Sequence, residues 1–201
     1  MKFDCILFDL DGTLINTNDL IIKSFQHTIR VHMGRESDDK EFVPYFGEPL
    51  ITMLERIAPG RGEELIKTYR EFNLAKHDTL IAKFEGIVET LQELKDKGVT
   101  LGVVTSKLKP LALRGMELCG LQDMFEVIIA CEDTTRHKPE PDPVLKALEI
   151  LGRGKEGVLY VGDSTMDIMS AKRAGVKSAA VMWSALDRQS LLAVEPDIVV
   201  E

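Results

Sequence analysis

Cysteine is scarce in this chain, and Cys5, Cys119 and Cys131 are odd in number and far apart, with no C-x-x-C spacing. Such usage gives no zinc or dithiol pattern and leads one to expect the reduced thiols of a cytoplasmic protein. Long apolar runs are missing too. No window approaches the ~18 apolar residues of a membrane span, and Met1-Lys2-Phe3-Asp4 sets an acid ahead of a short apolar stretch, unlike a signal peptide. Positive charge is in deficit, with 25 Lys and Arg against 33 Asp and Glu and a net charge of -8. Nucleic acid and anionic membranes both draw basic surfaces, so neither is an expected partner. His27, His32, His77 and His137 lack metal-ligand spacing and read as surface or packing residues, and no repeat, low-complexity tract or flexible linker interrupts the chain. Nothing in the sequence indicates an oligomeric state.

What is present is enough for one substantial core and a small inserted module: 201 residues, 44% of them hydrophobic. Short apolar runs recur at residues 5–8, 99–104, 127–130, 158–161 and 178–182. Their length and β-branched content predict buried strands. Helical patterns alternate with them at 86–97, 110–118, 142–151 and 164–174, so the expected architecture is α/β, a doubly wound parallel sheet. The interval 15–83 breaks the alternation, with helical patterns and no strand-like run. In it, Asn18-Asp19 can cap a helix whose Ile21, Phe25, Ile29 and Met33 share a face and which Gly34 can end, and further helices are expected at 50–57 and 62–81. The reading is therefore a core domain of residues 1–14 plus 84–201 and a helical insertion of 15–83.

Ligands of open α/β sheets sit at the carboxyl ends of the strands. Polar clusters follow the predicted strands at that end: Asp9 and Asp11, then Thr105-Ser106-Lys107, then Glu132-Asp133, then Gly162-Asp163. Neighbouring carboxylates repel, so such a group needs a cation, a shared proton or basic partners. Asp9, Asp11 and Asp163 make an all-oxygen ligand set suited to Mg²⁺, with waters and a substrate phosphate completing the octahedron. Asp-x-Asp-Gly by itself is equally a solvated turn. The Thr105 hydroxyl and the backbone N–H groups that follow, Ser106 included, can donate to phosphate oxygens, or Thr105 can cap the next segment. Lys138 lies in His137-Lys138-Pro139-Glu140-Pro141, where flanking prolines restrict the backbone and can hold the side chain inward. Ser164 is a good helix cap, and Asp167, in the first helical turn, can cap, support the site or ligate.

Taken together, Phe8-Asp9-Leu10-Asp11-Gly12-Thr13-Leu14, Val104-Thr105-Ser106-Lys107, Lys138-Pro139 and Gly162-Asp163-Ser164-Thr165-Met166-Asp167 resemble all four motifs of the haloacid dehalogenase superfamily, in order and at family-like spacing. The resemblance implies a Rossmann-like core and a phosphatase acting on a small phosphorylated substrate. Asp9 would be the nucleophile that forms an aspartyl-phosphate, Asp11 the acid/base, Thr105 and Lys138 the phosphate holders, and Asp163 a Mg²⁺ ligand. Asp11 would meet the metal through its main-chain carbonyl. The insertion is similar to the helical cap of the subgroup that contains phosphoglycolate phosphatases and β-phosphoglucomutases, a lid over the substrate.

Within that subgroup the first insertion helix and Tyr69-Arg70-Glu71-Phe72-Asn73 are most similar to bacterial inorganic pyrophosphatases, which makes pyrophosphate the expected substrate and phosphoglycolate the alternative. Lys107, two residues past Thr105, is then a candidate for the second phosphoryl group, and Gly47 a candidate substrate contact from the cap. The loop Phe46-Gly47-Glu48-Pro49-Leu50 lacks the arginine of the mutases, and a noncatalytic binding module would be expected to lose one of the four key residues, so both readings are disfavoured. Family members continue past the last strand into a closing helix. Here Pro196-Asp197-Ile198-Val199-Val200-Glu201 ends the sequence, and a less protected sheet edge is expected.

Overall fold

The computed structural model describes residues 2–201. In chain order its strands and α-helices are β1 (Cys5–Phe8), β2 (Ile15–Asn16), α1 (Asn18–Met33), α2 (Leu50–Ile57), α3 (Gly62–Leu80), β3 (Ala82–Lys83), α4 (Ile87–Asp96), β4 (Thr100–Val104), α5 (Lys109–Leu118), β5 (Val127–Ile129), α6 (Asp142–Leu151), β6 (Val158–Gly162), α7 (Thr165–Ala174), β7 (Lys177–Val181), α8 (Arg188–Ala193) and β8 (Ile198–Val200). They form two compact units, residues 2–16 with 82–201, and residues 17–81.

The first unit holds a six-stranded sheet in the order β5-β4-β1-β6-β7-β8, parallel at every pairing. Strands buried on both faces read as continuous apolar runs, which is why β1, β4 and β6 were legible. From β1 the chain moves outward through β4 to β5, then returns to β6 on the other flank of β1. The carboxyl end of β1 is thus the switch point of the sheet, the place where open α/β sheets bind their ligands. One layer of core joins Cys5 and Leu7 of β1, Val127 and Ile129 of β5 and Tyr160 of β6 to Val144, Ala147 and Leu148 of α6 and Ala171 and Ala174 of α7. Cys5 and Cys119 are buried, and burial pushes the Cys5 thiol up to about 11, far from a reactive thiolate.

Two strand features depart from expectation. The ends of the interval read as strandless pair as the two-residue antiparallel ribbon β2–β3, too short to leave a periodicity in sequence. Residues 198–200 add the edge strand β8, paired with β7 and half-exposed; its apolar run, Ile198-Val199-Val200, is only three residues long.

The second unit is helical. Phe25 of α1 stacks on Phe42 at 5.1 Å between ring centroids and meets Tyr69 of α3 at 4.8 Å. The buried face of α1 is turned from the expected one: Leu20, Ser24, Phe25, Thr28 and Ile29 are buried, whereas Ile21 and Met33 are half-buried. Ser24 and Thr28 can occupy a core face because their hydroxyls donate to the carbonyls of Leu20 and Ser24, at 2.6 and 2.7 Å. Thr17 rather than Asn18 takes the N-cap position, and Gly34 ends the helix in the left-handed conformation as expected. No helix among the described residues is long and apolar enough to cross a membrane.

Candidate active site

Four loops at the carboxyl ends of β1, β4, β5 and β6 bring charged side chains to the switch point. Asp9 follows β1, and its N–H donates to Val161 O at 2.8 Å, which fixes the loop to β6. Gly12 closes the turn at φ +83, and a Cβ there would lie 2.2 Å from the Asp163 carboxylate, so both backbone angle and space demand glycine. The tight turn therefore packs directly on the carboxylate that follows β6.

Lys138 is the hub of the cluster. Its ammonium donates to Asp9 Oδ1 and Asp167 Oδ1, each at 2.7 Å, to Tyr160 Oη at 3.1 Å and, more weakly, to Val104 O at 3.4 Å. Asp167 is held from its other side by the N–H and hydroxyl of Ser164, at 3.0 and 2.6 Å, and its own N–H reaches Ser164 Oγ at 3.3 Å, a reciprocal cap on α7. Oδ2 of Asp167 thus accepts two hydrogen bonds, and Oδ1 accepts the Lys138 ammonium with the Tyr160 hydroxyl within reach at 3.0 Å. Asp163 is differently placed: Ser184 Oγ donates to its carbonyl at 2.6 Å and only grazes its carboxylate at 3.4 Å.

The electrostatics follow from burial. Asp9 is pushed up to about 7, chiefly by desolvation and further by the negative charges of Asp167 and Asp11, against the pull of Lys138. Burial raises Asp163 well above the ordinary carboxyl range, and Asp9 and Asp167 add to that rise. For Lys138 desolvation works against the charge, but Asp167 and Asp9 overcome it and hold the ammonium well above its usual value. The cluster contains more buried negative charge than Lys138 can balance.

That imbalance is a test of whether a cation fits. Carboxylate oxygens of Asp9, Asp163 and Asp167 lie within 4.8 Å of one another, an all-oxygen set suited to a hard divalent ion. The set differs from the sequence reading, in which Asp9, Asp11 and Asp163 were grouped. Asp11 turns its carboxylate away to Lys107, whose ammonium donates to Oδ1 at 2.8 Å, while Asp167 enters because α7 begins one turn beyond β6. Asp167 is the most heavily hydrogen-bonded of the three, which leaves Asp9 and Asp163 the freer carboxylates for a metal, and the main-chain carbonyl of Asp11 is not engaged by the pairing with Lys107.

Thr105 follows β4, is buried, and accepts from Lys107 N–H through its hydroxyl at 3.1 Å, so it performs the turn-capping role from which a hydroxyl proton can still be given. Ser106 is exposed beside it. Lys109 pairs with Asp133 and Arg136 with Asp142, at 3.2 and 2.9 Å, both away from the cluster. Gly47 lies in the second unit, at φ +89 in the turn after residues 43–45.

Two participants were not singled out from sequence. Tyr160, hidden in an apolar strand run, is fully buried with its hydroxyl in the cluster; a buried phenol needs a partner, and that requirement was the available signal. Ser184 has no such signature, because it reaches Asp163 from the loop after β7. Its neighbour Trp183, read as packing, packs near Phe84 and also donates its indole N–H to Thr13 O at 3.3 Å.

Comparison with known proteins places these residues in context. The family described as haloacid dehalogenase-like hydrolase matches residues 6–181. Pyrophosphatase PpaX of Anoxybacillus flavithermus is 42% identical over 201 residues, covering 100% of this chain and 94% of its own length. A relative in Caldanaerobacter subterraneus subsp. tengcongensis, provisionally named as the same pyrophosphatase, is 49% identical over 100% of this chain and 91% of its own. Among solved structures, a haloacid dehalogenase-like family hydrolase from Streptococcus pneumoniae superposes with a TM-score of 0.90 at 24% identity, over 100% of this chain and 94% of its own, a likeness of fold.

Proposed function

The chain belongs to the haloacid dehalogenase-like hydrolase family, and from that premise we propose that it hydrolyses inorganic pyrophosphate in the cytoplasm, through Asp9 and with Mg²⁺ at the buried carboxylates. Asp9 Oδ attacks the phosphorus, and the bond from phosphorus to the bridging oxygen breaks as the aspartyl-phosphate forms. Asp11 gives its proton to that departing oxygen. The resulting carboxylate then takes a proton from water, whose oxygen attacks the same phosphorus and frees Asp9 with the second phosphate. Lys138, the Thr105 hydroxyl and the Ser106 N–H hold the oxygens of the transferring group. A divalent ion held by Asp9 and Asp163, with the Asp11 carbonyl, would offset the repulsion between carboxylate and phosphate.

The choice of pyrophosphate rests on the Lys107 ammonium 2.8 Å from Asp11 Oδ1, together with the names borne by the relatives above. If Asp11 protonates the leaving oxygen, a cation bonded to Asp11 stands beside the leaving group, where a departing phosphate carries its own negative charge. An ester with a neutral leaving group has no use for it, whereas the carboxylate of 2-phosphoglycolate would meet the same cation, so between these two substrates the names of the relatives carry the choice.

Phosphate release from a panel of pyrophosphate, 2-phosphoglycolate, hexose phosphates and nucleotides tests the reading, with pyrophosphate expected at the highest kcat/KM. In Lys107→Ala the KM for pyrophosphate should rise about tenfold, the scale of one lost charge-assisted contact, and that for a neutral-leaving-group ester much less. Higher kcat/KM on phosphoglycolate would replace pyrophosphate with phosphoglycolate as the substrate, and equal losses on pyrophosphate and the neutral ester in Lys107→Ala would remove Lys107 from the leaving-group site.

A further inference from the structure

Tyr160 is an unusual residue for its surroundings. Its ring belongs to the apolar layer shared with Leu7, Val144 and Ala171, where phenylalanine would pack as well without a polar atom to satisfy. The hydroxyl must therefore have a polar task, and its contacts name it. Oη donates toward Val104 O at 2.9 Å or Asp167 Oδ1 at 3.0 Å, and accepts from Lys138 Nζ at 3.1 Å. Val104 is the residue before Thr105, and Asp167 opens α7. One hydroxyl thus joins the end of β4, the start of α7 and the ammonium between them.

We propose that the Tyr160 hydroxyl is a positioning group for phosphoryl binding, fixing the direction of the Lys138 ammonium relative to Asp9 and to the Thr105 loop. An ammonium has three donors and free rotation about its last bond. Two of them are taken by Asp9 and Asp167 at 2.7 Å, and the third needs a partner that does not add negative charge to a cluster already rich in it. A neutral phenol is such a partner. When one N–H turns to a phosphate oxygen, Tyr160 and Asp167 keep the ammonium from swinging with it, so Lys138 presents one geometry to the ligand. Tyr160 touches no reacting atom in this account and acts only through Lys138. The inference rests on the reading of Lys138 as a phosphate holder.

Two variants, Tyr160→Phe and Tyr160→Met, remove the hydroxyl in side chains of different shape, so a packing defect in one is separated from the loss common to both. In Mg²⁺-loaded protein the dissociation constant of orthovanadate, a phosphate mimic, should rise about tenfold in both, as for one lost hydrogen bond to a charged group. The value of kcat/KM should fall by a similar factor. A purely structural role would lower the melting temperature and leave vanadate affinity within twofold of the parent, which overturns the inference. Lys138→Ala serves as the reference. If it leaves vanadate binding intact, the phosphate role of Lys138 has failed and the positioning role falls with it; if it weakens binding while the Tyr160 variants do not, the positioning role alone is wrong.

Discussion

The two ends of the sheet treat charge in opposite ways. At the carboxyl ends, Lys138, Asp9 and Asp167 keep only 5%, 9% and 1% of their side chains exposed, and Asp163 is buried beside them. Toward the amino ends, Arg153 pairs with Asp4 at 3.0 Å and Lys177 with Asp197 at 2.6 Å, each pair open to water. Surface pairs cost little to form and are worth little. A buried excess of carboxylates is costly, and a fold selected for stability alone would replace it with apolar groups. The contrast supports the proposed site without reference to any motif, because the end that carries unbalanced buried charge is the one where Asp9 and Lys138 are proposed to act.

Substitutions at the costly end should therefore damage activity far more than stability. Asp9→Asn is expected to abolish turnover and keep the fold, because the amide is nearly isosteric and cannot attack phosphorus; near-normal phosphate release would sink the covalent route. Asp11→Asn should bind metal and phosphate and lose ~10² to 10⁴ in kcat, the usual worth of a positioned acid or base. A kcat within a few-fold of the parent would remove Asp11 from that role.

Asp163 allows the comparison to be inverted, since here loss of function should bring a gain in stability. Its folded pKa is raised above the ordinary 3.8, so in the absence of metal its contribution is fully present below that value and is lost as pH rises beyond it. Asp163→Asn holds the group neutral. Without divalent ions at neutral pH the variant should melt above the parent by a few degrees, roughly 2–4 °C for each kcal/mol recovered. The advantage should shrink toward pH 4, and Mg²⁺ should stabilise the parent but not the variant. Equal melting curves across that range would show that the buried charge carries no such cost.

The costly end was also the legible one. Asp9 and Asp163 were readable because strand ends in an α/β sheet announce themselves as polar residues after apolar runs, and Lys138 because the prolines beside it restrict the backbone and can hold its side chain inward. Their pairings were not, since Lys138 meets Asp167 and Lys107 meets Asp11 only once loops distant in sequence fold together. The exchange of Asp11 for Asp167 in the carboxylate cluster is of this kind: spacing along the chain puts Asp11 beside Asp9, and only side-chain direction sends it to Lys107. The turn of α1 toward Ser24 and Thr28 was hidden because hydroxyls look polar until the helix carbonyls satisfy them. β8 was faint for another reason, its apolar run being only three residues, Ile198-Val199-Val200, and it is held to β7 by polar contacts of Asp197 as well as by its ladder.

Those contacts provide the mildest break. Asp197 accepts from Lys177 Nζ at 2.6 Å and from the N–H and hydroxyl of Ser178 at 2.9 and 3.0 Å, and its own N–H donates to Ser178 Oγ at 3.2 Å. The Lys177 bond foremost, opposed by slight burial, holds its carboxyl down to about 2. A depressed carboxyl stabilises the fold above its unfolded value and loses that contribution as pH falls toward the folded one, here between about 4 and 2. Asp197→Asn should consequently lower stability by less than about 1 kcal/mol at neutral pH, the scale of a solvated pair. It should lose less than the parent on going from pH 5 to pH 3, as read from urea midpoints, and pyrophosphate turnover should be unchanged. A loss of activity in this variant would mean that the amino and carboxyl ends are coupled through β7, and the division of labour between them would not hold.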